Sequence, residues 1–214
     1  MFPDEKWMER LGNRLKDPLP GLDAQLRMAP NYREQTLRAK DFRVPENAKQ
    51  SAVLMLFFPG ESGMMLPLIE RQAYNGVHSK QIGLPGGQLE PEDLSYEHAA
   101  LREAEEEIGV NPSQITLIGK LSPLYIPPSN FYVQPVLAVT SSRPDFTLDP
   151  VEVASLIQAP VAQIVDGSFS GVHKVKSRGS EWEVPGYQIQ GHVVWGATAM
   201  MLSELSIILK EIQH

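Results

Sequence analysis

The residues best suited to chemistry lie in one segment, LPGGQLEPEDLSYEHAALREAEEEIGV, at positions 84–110. Glu103, Glu106 and Glu107 stand at i, i+3 and i+4, the spacing that brings side chains together on one side of a helix. Their charges repel, and the negative C-terminal end of a helix adds to this repulsion. A hard divalent cation such as Mg²⁺ would offset the repulsion, since it prefers carboxylate oxygens, waters and phosphates. The alternative is a solvated acidic helix face without a ligand.

Two adjacent glycines, Gly86 and Gly87, follow Pro85 a short distance before the acidic residues. Glycine adopts backbone conformations that other residues avoid and lets a ligand approach the backbone closely. An ordinary turn would use the same residues. We interpret the pair as a loop that brings backbone groups beside the carboxylates.

The carboxylates require a helix to carry them, and the pattern predicts one over residues 94–108. Asp93 or Ser95 can cap its start, and Gly109 is a typical residue just beyond a helix end. A predicted apolar face lies opposite the glutamates and is formed by Leu94, Leu101, Ala104 and Ile108.

The remaining pattern mixes short strands with helices, which favours the α+β class or an α/β/α sandwich. Residues 1–44 read as an N-terminal helical extension, and residues 45–214 as the main domain. Pro135 predicts that its strand is an edge strand or contains a bulge. The predicted strands are 51–58, 64–71, 114–120, 131–140, 182–189 and 192–194. The predicted helices are 5–16 and 198–212, with short helical turns at 152–157 and 161–165.

Composition excludes several classes of protein. The 214 residues carry a net charge of −7, which argues against binding nucleic acid through a broad basic surface. The chain has no cysteine, so neither a disulfide nor a thiolate zinc site can form. Its longest apolar stretch is far shorter than the roughly 20 residues that a membrane span needs. We expect a cytoplasmic protein that binds neither nucleic acid nor membrane.

Residues 87–110 resemble the Nudix box, which reads Gly, five residues, Glu, seven residues, then Arg-Glu-apolar-x-Glu-Glu-x-Gly-apolar. The second half is intact from Arg102 to Val110. In the first half, five residues separate Gly87 from Asp93, and eight residues separate Asp93 from Arg102. An Asp with one inserted residue is associated with the coenzyme A pyrophosphatase branch. The resemblance implies a Nudix-type α/β/α sandwich with a mixed sheet and a catalytic loop-helix-loop.

Other segments resemble the same branch. Its upstream signature keeps its spacing here, and Arg71 and Pro85-Gly86-Gly87 match it. Residues 124–131 and 195–199 are also similar to the branch. Four positions of the upstream signature differ in identity: Gln72, Gly76, Lys80 and Leu84. These departures leave a different nucleotide substrate open.

The resemblance implies a hydrolase that cleaves a diphosphate linked to a nucleoside, with a small-molecule nucleotide as its partner. Coenzyme A or an acyl-coenzyme A would give 3′,5′-ADP and 4′-phosphopantetheine or its acyl form. ADP-ribose or a dinucleotide is the alternative substrate, and a non-catalytic nucleotide-binding module is a further alternative. The choice between a monomer and a homodimer stays open.

Site roles follow from the same resemblance. Mg²⁺ or Mn²⁺ would be held by Glu103, Glu106, Glu107 and Gly87. Arg102 would orient Glu103, and Asp93 would brace the junction between loop and helix. The general base stays open between Glu103 and Glu152. The residues expected to contact substrate are Arg71, His78, Lys80 and Gly86.

Overall fold

A computed structural model describes residues 4–61, 63–72, 81–177 and 180–213. Within these ranges, no helix combines the length and the apolar character that crossing a membrane requires. The helices are α1 Glu5–Arg14, α2 Gly21–Leu26, α3 Asn31–Leu37, α4 Tyr96–Ile108, α5 Val161–Asp166 and α6 Gly196–Glu211. The strands are β1 Lys49–Gly60, β2 Gly63–Arg71, β3 Ile82–Gly83, β4 Gly86–Gln88, β5 Thr116–Lys120, β6 Leu124–Ile126, β7 Phe131–Val139, β8 Val153–Pro160, β9 Ser170–Ser177, β10 Ser180–Ile189 and β11 His192–Trp195.

A mixed β-sheet with strand order β3-β2-β1-β7-β5 forms the centre of the fold. Strands β1 and β7 run parallel, from Lys49 opposite Phe131 to Phe57 opposite Val139. Strands β4 and β6 add to β1 and β7, while β8 pairs with β2. A separate antiparallel sheet has the order β11-β10-β9. The predicted α+β class with a mixed sheet is confirmed.

Strand β1 is buried on both faces, as its unbroken apolar sequence predicts. Residues 54–58 of this strand are fully inaccessible to solvent. Helix α4 covers one face of the sheet through Ala100, Ala104 and Ile108. Helix α6 belongs to the larger cluster on the other face, with Met200 and Leu205 among its buried residues. The sheet therefore lies between two helical layers.

The edge position predicted for Pro135 was wrong, because β7 is an inner strand between β1 and β5. The predicted alternative, a bulge, occurs in the β5–β7 pair, where the register shifts between Leu117 and Gly119 of β5. Leu121 follows the last residue of β5, and its N–H donates to the Pro135 carbonyl at 3.1 Å. Proline has no N–H, so Pro135 cannot donate a hydrogen bond to the Leu121 carbonyl in return. The Gln134 side-chain amide donates to the Leu121 carbonyl at 2.7 Å instead. This substitute donor allows a proline inside the sheet.

The helical turn predicted for residues 152–157 was also wrong, because β8 begins at Val153. This strand pairs antiparallel with β2, where Leu66 lies opposite Ala159 and Leu68 opposite Ile157. Burial of Ile157 and Ala159 against the sheet overrides the helix propensity of the segment. Strand β9 was not predicted at all.

The N-terminal segment packs against α6 and shares the main core. Glu204 of α6 is fully buried and accepts hydrogen bonds from the Gly21 N–H at 2.9 Å and the Gln25 amide at 3.0 Å. The Ser203 hydroxyl donates to the Ala24 carbonyl at 2.8 Å. These contacts fix α2 on α6. The chain then leads into α3, whose residues 32 and 33 line a cavity described below.

Candidate active site

The backbone of Gly86 and Gly87 forms one wall of the candidate site. Gly86 pairs with Val53 of β1 and has φ +149°, and a Cβ atom there would collide with the Ala52 carbonyl. A Cβ atom on Gly87 would overlap the carboxylate of Glu103. Backbone contacts and the positive φ thus require glycine at position 86, whereas a side chain at position 87 would displace the Glu103 carboxylate that lies directly against the Gly87 backbone.

Glu107 closes a buried network with Gly86 and Arg71. Its side chain is only 2 % exposed. The Arg71 guanidinium donates to Glu107 Oε1 at 3.2 Å and to the Gly86 carbonyl at 2.8 Å. The Gly86 N–H donates to Glu107 Oε2 at 2.7 Å. Strand β2, strand β4 and helix α4 therefore meet at one carboxylate.

Burial raises the pKa of Glu107 to about 7, because a carboxylate away from water loses solvation. The charge of Arg71 and the hydrogen bond from Gly86 lower the pKa and only partly offset burial. The nearby charges of Glu103 and Glu152 raise it further. Glu107 is thus held among like charges, with one arginine as its counter-charge in the described residues.

Arg102 ties the other acidic residues together. Its guanidinium donates to Asp93 Oδ2 at 2.9 Å, to Glu103 Oε1 at 3.0 Å and to Glu106 Oε2 at 2.9 Å. Hydrogen bonds with Asp93 raise the pKa of Arg102 and lower the pKa of Asp93. Asp93 Oδ2 also accepts from the Glu90 N–H at 2.9 Å. Arg102 thus orients Glu103 and anchors the loop before α4.

Glu152 approaches this cluster from a turn and does not begin a helix. It lies immediately before β8 and is exposed. The Gln72 N–H donates to the Glu152 carbonyl at 2.9 Å, and the Gln72 side chain donates to the Pro150 carbonyl at 3.0 Å. Gln72, one of the departures from the branch signature, therefore positions this turn. The Glu152 charge contributes to the raised pKa values of both Glu103 and Glu107.

The buried face of α4 differs from the predicted one. Leu94 is 91 % exposed, because it precedes the Ser95 N-cap and lies outside the helix. The buried residues of α4 are Ala99, Ala100, Ala104, Glu107 and Ile108. Sequence reasoning therefore missed that Glu107 belongs to the buried side of the helix.

The donor set fits a hard divalent cation in its chemistry, although no group of three or more Asp, Glu or His side chains in the described ranges is arranged to hold an ion. The described hydrogen bonds of Glu103 and Glu106 engage one oxygen of each carboxylate. Burial raises the pKa of Glu103, and the charges of Glu106 and Glu152 add to this effect. A cation would lower this repulsion. The ligand set stays a prediction: Glu103, Glu106, Glu107 and Gly87.

A cavity of about 480 Å³ extends from the Gly86–Gly87 backbone to the start of α6. Of the predicted substrate-binding residues, Arg71 and Gly86 line it, whereas His78 and Lys80 lie outside the described residues. Both later segments that resemble the branch contribute to the walls, through Ile126, Pro128, Phe131, Trp195, Gly196, Ala197 and Thr198.

Two further lining residues, Tyr32 and Arg33, come from the N-terminal segment. Sequence reasoning gave them no role. They lie outside the region of family resemblance and follow no recognisable motif, so only the packing of α3 brings them to the cavity.

Comparison with known proteins agrees with this architecture. The NUDIX domain profile matches residues 48–164. The chain is 30 % identical to Nudix hydrolase NudL of Photorhabdus laumondii, over 77 % of this chain and 87 % of that protein. It is 31 % identical to NudL of Cronobacter sakazakii, over 84 % and 92 %. The crystal structure of the Nudix hydrolase RenU from M. smegmatis matches with a TM-score of 0.54 and 17 % identity, over 81 % and 97 %. This last likeness concerns the fold alone.

Proposed function

The chain belongs to the Nudix hydrolase family, and on that premise we propose that it cleaves the diphosphate bond of coenzyme A or an acyl-coenzyme A. The products would be 3′,5′-ADP and 4′-phosphopantetheine or its acyl form. The family relationship is consistent with hydrolysis of nucleoside diphosphate derivatives. The choice of coenzyme A rests on the one-residue insertion with Asp93, on the matching Arg71 and on the two later segments of similar sequence.

One observation carries the proposal: acidic side chains converge on the glycine backbone at one end of a cavity. Glu103 lies against Gly87, and Glu107 bonds to Gly86. Both glycines and Arg71 also line the cavity, so a ligand there would contact the backbone and the arginine that adjoin these carboxylates. Burial and neighbouring charges raise the pKa values of Glu103 and Glu107 beside this cavity, a combination that is typical of functional sites.

The chain's own residues would position and deprotonate a water molecule. Arg102 holds Glu103 by a charge-assisted hydrogen bond, so the carboxylate keeps one orientation toward the Gly87 backbone. Either Glu103 or Glu152 would accept the proton of the attacking water. Hydrolases of this family generally use Mg²⁺ or Mn²⁺, which neutralises phosphate oxygens and lowers the pKa of bound water. Glu103, Glu106, Glu107 and Gly87 would hold the metal.

A substrate panel tests this proposal. Purified protein would be incubated with coenzyme A, acetyl-coenzyme A, ADP-ribose, NADH and diadenosine polyphosphates, with Mg²⁺ or Mn²⁺, and the products identified by mass. We expect 3′,5′-ADP to be released from coenzyme A or acetyl-coenzyme A, at a kcat/KM above that of the other compounds. Faster cleavage of ADP-ribose or a dinucleotide would contradict the assignment of coenzyme A. No turnover of any compound would favour a nucleotide-binding module.

A further inference from the structure

Arg33 is a buried cation that lacks a carboxylate partner. Arg33 is 7 % exposed and lines the cavity. Its Nε–H has no hydrogen-bond partner among the described residues, and its Nη1 lies 3.7 Å from the Met200 sulfur, a weak acceptor. No described Asp or Glu forms an ion pair with it, and the remaining residues of the chain contain no Asp or Glu.

A buried charge without a counter-charge costs folding free energy. A protein that keeps such a charge therefore usually pairs it with a ligand or another group. Burial lowers the pKa of the Arg33 guanidinium, because the cation loses solvation, and a hydrogen bond with the Tyr32 side chain offsets this only in part. The other arginine that lines the cavity, Arg71, is already paired with Glu107. Among the described residues that line this cavity, Arg33 is therefore the cation that is not held in an ion pair.

The N-terminus of α6 meets Arg33 at the same wall. A Cβ atom added to Gly196 would lie 3.8 Å from Arg33 Nη1. Gly196, Ala197 and Thr198 form the first turn of this 16-residue helix, and all three line the cavity. The N-cap position, Trp195, provides no side-chain hydrogen bond. The first N–H groups of a helix need partners from outside it, and together with the helix dipole they favour an anion.

We propose that Arg33 and the first turn of α6 form a binding site for a phosphomonoester group of the substrate, separate from the diphosphate that is hydrolysed. The reacting diphosphate belongs beside Gly86, Gly87 and the carboxylates, where the Gly87 backbone lies against Glu103. This inference rests on the proposed function for its choice of ligand. It selects nucleotides that carry a phosphate beyond the diphosphate, such as the ribose 3′-phosphate of coenzyme A, and gives the N-terminal segment a role in specificity.

Turnover of coenzyme A and of 3′-dephospho-coenzyme A by wild type and Arg33→Met tests the site. Losing a hydrogen-bonded charge pair corresponds to a factor of about 10 to 100. We expect Arg33→Met to lower kcat/KM for coenzyme A by that factor, mostly through KM, and to leave dephospho-coenzyme A within about twofold. Arg33→Lys should recover part of the affinity. An equal effect on both substrates, or none on coenzyme A, would overturn the proposal.

A direct binding measurement separates this inference from the proposed activity. Calorimetry without added metal would compare 3′,5′-ADP with 5′-AMP. Wild type should bind 3′,5′-ADP more tightly by about 10-fold or more, and Arg33→Met should lose that preference. Arg27→Met, an exposed arginine of the same N-terminal segment, is the matched control and should bind like wild type. If coenzyme A is not hydrolysed but the preference depends on Arg33, only the proposed activity fails.

The melting temperature of Arg33→Met distinguishes a binding role of Arg33 from a structural one. Methionine replaces an unpaired buried charge with an apolar side chain of similar length, so the melting temperature of Arg33→Met should be unchanged or higher. A lower melting temperature with no change in the preference for 3′,5′-ADP would mean that Arg33 serves packing alone, and would overturn the proposal.

Discussion

Arg71 and Glu107 form a buried ion pair that joins strand β2 to helix α4, with Arg71 Nη1 3.2 Å from Glu107 Oε1. The two residues are 36 positions apart in the sequence and share Gly86, which donates to Glu107 and accepts from Arg71. The sequence alone predicted Arg71 as a substrate contact and Glu107 as a metal ligand. Their pairing adds a positioning role for Arg71 toward the acidic cluster.

Replacing Arg71 tests that positioning role. Arg71→Met leaves Glu107 buried without its counter-charge, so the free energy of unfolding should fall by about 2 kcal/mol, the scale of one unsatisfied buried group beside a partly exposed arginine. The value of kcat should also fall, because Glu107 would adopt another orientation. Urea denaturation and steady-state kinetics measure both effects, with the exposed Arg43→Met as control. A rise in KM at unchanged kcat and stability would instead assign Arg71 to substrate binding alone.

Gly87→Ala should displace the Glu103 carboxylate, since the added methyl group would overlap it. We expect kcat to drop by about 100-fold or more, the scale of a lost catalytic group. Gly83→Ala is a matched control in the wall of the same cavity, where the one described atom within 4 Å of the new methyl group is Arg71 Nε at 3.7 Å, an ordinary contact distance. Equal activity of the two variants would show that the close approach of Gly87 to Glu103 does not matter for catalysis.

The lowered pKa of Asp93 should make the folded protein less stable in acid. Hydrogen bonds from Arg102 and the Glu90 N–H hold its pKa below the ordinary value. The ionised form is thus favoured in the folded state, and its contribution is present above about pH 4 and lost as the pH falls below it. Asp93→Asn should destabilise the protein by about 2 kcal/mol at pH 7 and by less at pH 3.

Urea denaturation at the two pH values measures this effect, with the exposed Asp41→Asn as control. A stability difference between wild type and Asp93→Asn that does not shrink in acid would argue against a stabilising Asp93–Arg102 ion pair.

Glu103 and Glu152 can be separated as candidates for the general base. Glu103 is held by Arg102 against Gly87, whereas Glu152 is exposed in a turn. We therefore expect Glu103→Gln to lower kcat by about 100-fold or more, and Glu152→Gln by less. Saturating substrate and metal would limit both measurements to the catalytic step. A larger loss for Glu152→Gln would make Glu152 the base.

The spacing of Gly87, Arg102 and the glutamates was sufficient to predict which residues meet, because a local loop-helix motif carries its own geometry. Burial of Glu107 was not predictable in the same way. It depends on packing of α4 against the sheet and on Arg71, a partner from a distant strand.

Long-range packing explains the other features that the sequence did not predict. The substitute donor Gln134 that permits Pro135 inside the sheet becomes visible only with the neighbouring strand. Strand β8 forms because β2 provides a partner for it, and Arg33 reaches the cavity because Glu204 fixes the preceding helix α2 on α6. Each depends on residues far apart in the sequence, which local periodicity does not report.

The central claim is that the carboxylates beside Gly86 and Gly87 hydrolyse a diphosphate bond. The most direct test is turnover by wild type, Glu106→Gln, Glu107→Gln and Glu105→Gln, using Mg²⁺ and the best substrate of the panel. Glu105 is exposed on the same helix and is the matched control. Glu106→Gln and Glu107→Gln should lose about 100-fold or more, beyond the roughly 10- to 100-fold typical of residues that only support a ligand. Glu105→Gln should stay within about twofold of wild type. Full turnover by Glu106→Gln and Glu107→Gln would contradict the account.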